Sequence, residues 1–290
     1  MPRLSTPVTP GPAPYSIGTG SRIMVLGSCF ADAVGRRLAA AGFNVLCNPF
    51  GTLYNPLSIC SAVRRLHDEV PFTEKDCVRM GAGVDLVCSF SHHTSFARPG
   101  AGDFLANANA RLAEACAFWR ECDTVLITFG TAKVWTRAGD GSVVANCLKR
   151  PASEFVRRSL SVGDMDCIAA TVLSCGIGKR YLFTVSPIRH LGDGAHENSI
   201  SKATLLLGTD LAVSRLREAG VEAAYFPAYE IVLDELRDYR FYAEDLCHPS
   251  PTAEEIVWER FLETFVPEAD LKAVQENEKA ARRAAHRPIH

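Results

Sequence analysis

The stretch Arg22-Ile23-Met24-Val25-Leu26-Gly27-Ser28-Cys29-Phe30-Ala31 decides how the rest of the chain is read. Ile23 to Leu26 form a continuous apolar run, the pattern of a strand buried on both faces. Apolar residues at 30, 34, 38 and 41 then recur at helical spacing, and Gly42 follows as a helix stop. A strand, a Gly-bearing turn and a helix thus succeed one another with no linker. The rhythm returns along the chain. Residues 43–47 read as a second strand, and 124–129 and 180–185 as two further buried strands. Ile200, Ala203, Leu207, Leu211 and Leu216 predict the apolar face of a helix ended by Gly220, and 221–226 a fifth strand. Strands alternating with helices predict an α/β domain with a mostly parallel, about five-stranded sheet covered on both faces.

Outside that rhythm, residues 1–20 are rich in Pro, Gly, Ser and Thr and read as an extended arm. The main domain is expected over 21–266, with insertions near 70–98 and 132–160, and 267–290 reads as a charged helix or tail. A hydrophobic content of 47% and a charged content of 22% are ordinary for a globular chain with a sizeable core. The net charge of −2 offers no basic field, so nucleic acid is not an expected partner. The chain has eleven cysteines, an odd number without a CxxC pair, and several lie in apolar runs. A reducing compartment with thiols serving as small hydrophobes is the expectation. With no apolar leader and no run long enough to span a bilayer, the expected location is cytoplasmic, without a membrane span.

In parallel sheets of this kind, function gathers at the carboxyl ends of the strands. Four rim segments meet that criterion: 27–29, 48–51, 130–131 and 186–190. Ser28 and Cys29 stand at a helix start, where free N–H groups and the helix dipole favour an anion. The plainer reading is that Ser28 caps the helix and Cys29 packs. Near the C-terminus, Asp245-Leu246-Cys247-His248 precedes a helix opened by Pro251. An Asp three residues before a His can orient one ring nitrogen and leave the other as general base. The plainer reading is a solvated Asp and His in a loop.

Taken together these elements resemble the SGNH, or GDSL-like, hydrolase superfamily, and more closely its GSCFA family, named for the Gly27-Ser28-Cys29-Phe30-Ala31 signature. Residues 48–51 with 54–56, 130–132, 143–147, 186–190 and 239–245 are similar to further stretches of that family, which makes six motifs in order over roughly residues 20–265. The resemblance implies a three-layer α/β/α fold of SGNH-hydrolase or flavodoxin-like plan in a bacterial protein. It also implies a nucleophile at Cys29, with Ser28 as the alternative, and His248 as base oriented by Asp245. The N–H of Gly51 is the implied oxyanion donor beside that of Cys29. Ala132 stands where the superfamily places an oxyanion Asn in the turn begun by Gly130, so a substitute donor is sought among Asn48, Asn55, Asn146 and Thr131.

Arg189 and His190 on the rim are expected to bind substrate, with a loop-tying salt bridge as the alternative use of the arginine. His92 and His93, among Phe90 and Phe96, are candidates for the mouth of the site. Trp119, Trp135 and Trp258 are each assigned to core packing. No metal site is expected, since these histidines lack suitably spaced partners. The predicted activity is hydrolysis of an acyl ester on a small molecule or saccharide, without a cofactor. A CoA-dependent acyltransferase acting on cell-envelope or capsular polysaccharide is one alternative, and a non-catalytic binding module is another.

Overall fold

The computed structural model describes residues 5–285; the first four residues of the arm and the last five of the C-terminal segment lie outside the described residues. The elements run β1 (Arg22–Gly27), α1 (Cys29–Ala40), β2 (Asn44–Cys47), α2 (Pro56–Asp68), β3 (Val78–Arg79), β4 (Val87–Cys88), α3 (Ala101–Glu121), β5 (Thr124–Phe129), β6 (Lys133–Arg137), β7 (Val143–Val144), β8 (Phe155–Ser159), α4 (Cys167–Cys175), β9 (Arg180–Val185), α5 (Ala195–Glu218), β10 (Ala223–Tyr225), α6 (Ala228–Glu230), α7 (Pro251–Phe265) and α8 (Glu268–Ala285).

Strands β10, β9, β5, β1 and β2 pair in that order, all parallel, as one five-stranded sheet. Period-two alternation sends successive side chains to opposite faces. Met24 and Leu26 enter a core with Ile59, Phe104, Trp119 and Leu205 of α2, α3 and α5. Ile23 and Val25 enter a second core with Phe30, Leu38, Trp258 and Phe261 of α1 and α7. Helices therefore cover both faces, and the fold is a three-layer α/β/α arrangement. The chain winds outward from β1 in both directions, so the sheet's topological switch point lies between β1 and β5. A crevice opens there, beyond the carboxyl ends of those strands.

Three additions decorate this frame. The hairpin β3–β4 and the antiparallel sheet β7-β6-β8 occupy the segments that break the strand–helix rhythm. At the C-terminus α8 packs onto α7 and α1: Trp258 Nε1 donates to Glu278 at 2.7 Å, and Asn277 Nδ2 donates to Ala41 O at 3.0 Å. Within the arm, Ile17 is fully buried and its N–H donates to Phe265 O at 2.7 Å. No described helix is long and apolar enough to cross a membrane. All eleven cysteines are free thiols, four of them buried and seven half-buried.

Of the predicted apolar face of α5 only Leu216 is buried. Ile200, Leu207 and Leu211 are 47%, 59% and 58% exposed, and Ala203 is exposed beside them. The buried face carries Lys202, Leu205, Gly208, Thr209 and Ala212. Close packing explains the preference for small residues: a Cβ on Gly208 would lie 2.3 Å from Met165 Cγ. Lys202 is buried because the strand ends supply acceptors for its charge. Both reasons are tertiary and leave no trace in local periodicity.

Candidate active site

The floor of the crevice begins at Gly27, whose φ of +140° and contact with β5 exclude a side chain: a Cβ would stand 2.2 Å from Thr128 O. Ser28 follows as the N-cap of α1. Its Oγ accepts from the Phe30 N–H at 3.3 Å and meets Thr128 Oγ1 at 3.1 Å, and the residue is only 1% exposed. Cys29 is the first helical residue, so its N–H has no partner within the helix. Its half-buried thiol lies 3.2 Å from the Tyr54 hydroxyl. The two adjacent candidates are thus engaged differently, Ser28 with β5 and Cys29 with Tyr54.

Cys29, Ser28 and His248 line one cleft of about 630 Å³. His248 Nδ1 and Asp245 Oδ2 are 2.5 Å apart. The other carboxylate oxygen of Asp245 accepts the N–H groups of Cys247 and His248, each at 2.9 Å. Those two backbone bonds, with the imidazole, hold the Asp245 carboxyl down at about 2. Asp245 is therefore a fixed carboxylate that orients the ring and leaves Nε2 for other work. Among the described residues no direct hydrogen bond joins His248 to Cys29 or Ser28, and the three meet only as neighbours in the cleft.

The expected oxyanion donors divide sharply. The Gly51 N–H donates to Asn48 O at 2.8 Å inside the turn after β2, and Gly51 packs against His93 outside the cleft. It is therefore not a free donor, which corrects the expectation. Asn48 is also committed: Oδ1 accepts from the Gly27 N–H at 2.8 Å and Nδ2 donates to Asp32 at 2.7 Å. The N–H groups of Gly130 and Thr131 both donate to Tyr54 O, and Thr131 Oγ1 is bound to Ser201 and the Lys133 N–H. Ala132 is buried, with its N–H on Ser201 Oγ at 2.8 Å. Asn55 and Asn146 remain. Both line the cleft, and both use Oδ1 on backbone N–H groups, of Ser58 at 2.9 Å and Leu148 at 2.7 Å. That fixes each amide and leaves its NH₂ as a donor.

The histidines of the inserted segment fall elsewhere. His92 is 1% exposed among Phe50, Phe72, Phe96 and Phe104, with Nδ1 2.7 Å from Ser89 Oγ. Burial pushes its imidazole down to about 3, so it is a neutral core residue and not part of the mouth. His93 caps the short turn 94–96 by accepting the Ser95 N–H at 3.3 Å, and does not line the cleft. His190 does line it. Burial, reinforced by the nearby Lys202 charge, pushes that imidazole down to about 4, and Nε2 is buried without a partner. Arg189 ties the two rim loops: its N–H donates to Cys247 O and its guanidinium to Leu246 O, each at 3.0 Å.

Three contributors escaped the sequence reading. Tyr54 touches the Cys29 thiol, and burial with that thiol neighbour raises the phenol to about 12. Lys202 is 1% exposed and donates to Gly130 O at 2.8 Å and Ser186 O at 2.6 Å, clamping the ends of β5 and β9; burial pushes its amine down to about 7. Trp135, assigned to the core, instead stands 36% exposed on the cleft wall built by β6–β8. A Lys four residues before Leu206 carries no local mark of such a role. Tyr54 does sit within a quoted motif, and its proximity to the rim was the available signal.

The fold and the site together define an α/β/α protein whose switch-point cleft presents a helix-start thiol and an Asp-oriented histidine. Its sequence matches the GSCFA family over residues 22–261, and the chain belongs to that family. A comparison with curated proteins returns no match.

Proposed function

We propose that this chain is an acyl-ester hydrolase of SGNH type in which Cys29 is the nucleophile, His248 the general base and Asp245 its orienting partner. The observation that carries the reading is the shared cleft: a half-buried thiol at the start of α1 and a histidine hydrogen-bonded to a fixed carboxylate border the same 630 Å³ space. His248 takes the thiol proton, and the sulfur attacks the acyl carbonyl carbon. The oxyanion is met by the Cys29 N–H and by the NH₂ of Asn55 or Asn146. The C–O bond breaks, the leaving alkoxide takes the proton from His248, and water activated by the same histidine cleaves the thioester. Ser28, buried and held by Thr128 and the Phe30 N–H, acts as the cap that aims Cys29. Eleven free thiols suit a reducing, cytoplasmic setting.

Hydrolysis of short-chain 4-nitrophenyl esters tests the reading. Turnover by the unaltered protein, abolished in Cys29→Ala and kept in Ser28→Ala, is expected. Turnover that survives Cys29→Ala and vanishes in Ser28→Ala would move the nucleophile to the serine, and no turnover at all would remove the hydrolase.

A further inference from the structure

We infer that the substrate carries an anionic group, a carboxylate or a phosphate, that docks on the Arg189 guanidinium beside His248. Three cationic side chains line the cleft: Lys133, Arg157 and Arg189. Two are neutralised locally, Lys133 by Glu197 and Arg157 by Asp193, the latter at 2.5 Å. Arg189 forms no ion pair among the described residues. One of its N–H groups goes to Leu246 O, and the rings of Tyr239 and Tyr242, centred 5.8 and 5.4 Å away, flank the guanidinium. Asp193 is the one carboxylate among the described residues lining the cleft, and Arg157 already holds it.

The cleft thus has a surplus of positive charge in a chain whose net charge is −2, so the surplus is local. A guanidinium offers a planar fork matched to two oxygens of a carboxylate or phosphate. The neighbouring Asp245 does not compete for that fork, because its oxygens are taken by His248 and by two backbone N–H groups. The inference uses the proposed hydrolase only to say which part of the substrate reacts; the anion site itself is a matter of binding.

The test is equilibrium binding of two unreactive analogues, the 4-nitroanilide of succinic acid and its uncharged succinamide counterpart. At low ionic strength the charged analogue is expected to bind about tenfold more tightly, the scale of one charge-assisted hydrogen-bonded contact. High salt and Arg189→Gln should each bring the two analogues together, while Arg189→Lys should restore part of the difference. Displacement of the charged analogue by succinate or by inorganic phosphate identifies the oxyanion. Equal binding of the two analogues to the unaltered protein, or a preference that survives Arg189→Gln, overturns the inference. Hydrolysis of the 4-nitrophenyl ester of succinate, measured in parallel, separates the two claims. Charge preference without turnover removes the hydrolase and leaves the anion site, and turnover without preference does the reverse.

Discussion

The floor of the cleft and its far wall are built in opposite ways. On the floor, Gly27, Ser28, Gly130 and Thr131 spend their polar groups on Asn48, on Thr128 of β5, on Tyr54 O and on Ser201, and Ser28 and Asn48 are buried. On the far wall, Asp245 and His248 have side chains about half exposed and lie on a loop with Leu246 in the left-handed region at φ 57°. The floor therefore supplies position, and it presents to the cleft the Cys29 sulfur, beside the Tyr54 hydroxyl, and the Cys29 backbone N–H. The wall supplies a titratable ring whose orientation depends on one carboxylate. A glycine or asparagine in a rim motif is thus no evidence of a free donor, since turns consume such groups first.

The largest effect should come from the wall. His248→Ala is expected to lower ester turnover by about 10²–10⁴-fold, the usual contribution of a general base, with an unchanged melting temperature. A comparable loss of stability in that variant would show that the loop is structural and would erase the contrast. His92→Ala should do the reverse, costing about 3–5 kcal/mol as a cavity among four phenylalanines while turnover stays within about twofold. Because burial keeps His92 neutral down to about 3, the folded chain binds fewer protons than the unfolded chain between there and the ordinary value near 6.5. Its contribution to stability accordingly rises with pH across that window and is flat above it. Urea titrations at several pH values should show His92→Phe with a weaker acid-side slope than the unaltered protein.

Smaller effects belong to the floor and to the turn after β2 that supports it. Gly51→Ala, at φ +77° and with a Cβ 2.4 Å from that of His93, should cost about 1–3 kcal/mol of stability through backbone strain. If Gly51 were instead an oxyanion donor, alanine would keep its N–H but change kcat far more than the denaturation midpoint. Ser28→Ala should remove a helix cap worth about 0.5–2 kcal/mol and shift turnover modestly, and calorimetry beside steady-state kinetics measures both.

Much of the frame was legible because buried parallel strands write themselves as continuous apolar runs. The strands at 22–27, 124–129 and 180–185 stand where the hydrophobicity puts them, and the Gly27-to-Cys29 turn falls at the carboxyl edge for the same reason. The site was legible in part. Cys29 and His248 share a cleft, with Asp245 hydrogen-bonded to the His248 ring, and Asn55, Asn146, Thr131, Arg189 and His190 line the same cleft. What was not legible depends on partners distant in the chain. Lys202 is buried by the carbonyls of residues 130 and 186, and His92 by four aromatic rings. Trp135 lies exposed on a strand of the small antiparallel sheet, which is too short to give a periodic signal. Gly51 was misassigned because a positive-φ turn glycine and an oxyanion glycine look alike in sequence.

The central claim is that the thiol at the start of α1 becomes acylated. Intact-mass measurement after exposure to a slow-deacylating ester tests it most directly. One adduct per chain is predicted, mapped to Cys29 by peptide sequencing, absent in Cys29→Ala, kept in Ser28→Ala and slowed in His248→Ala. An adduct that persists in Cys29→Ala and maps to Ser28 would contradict the account and make the cysteine a packing residue.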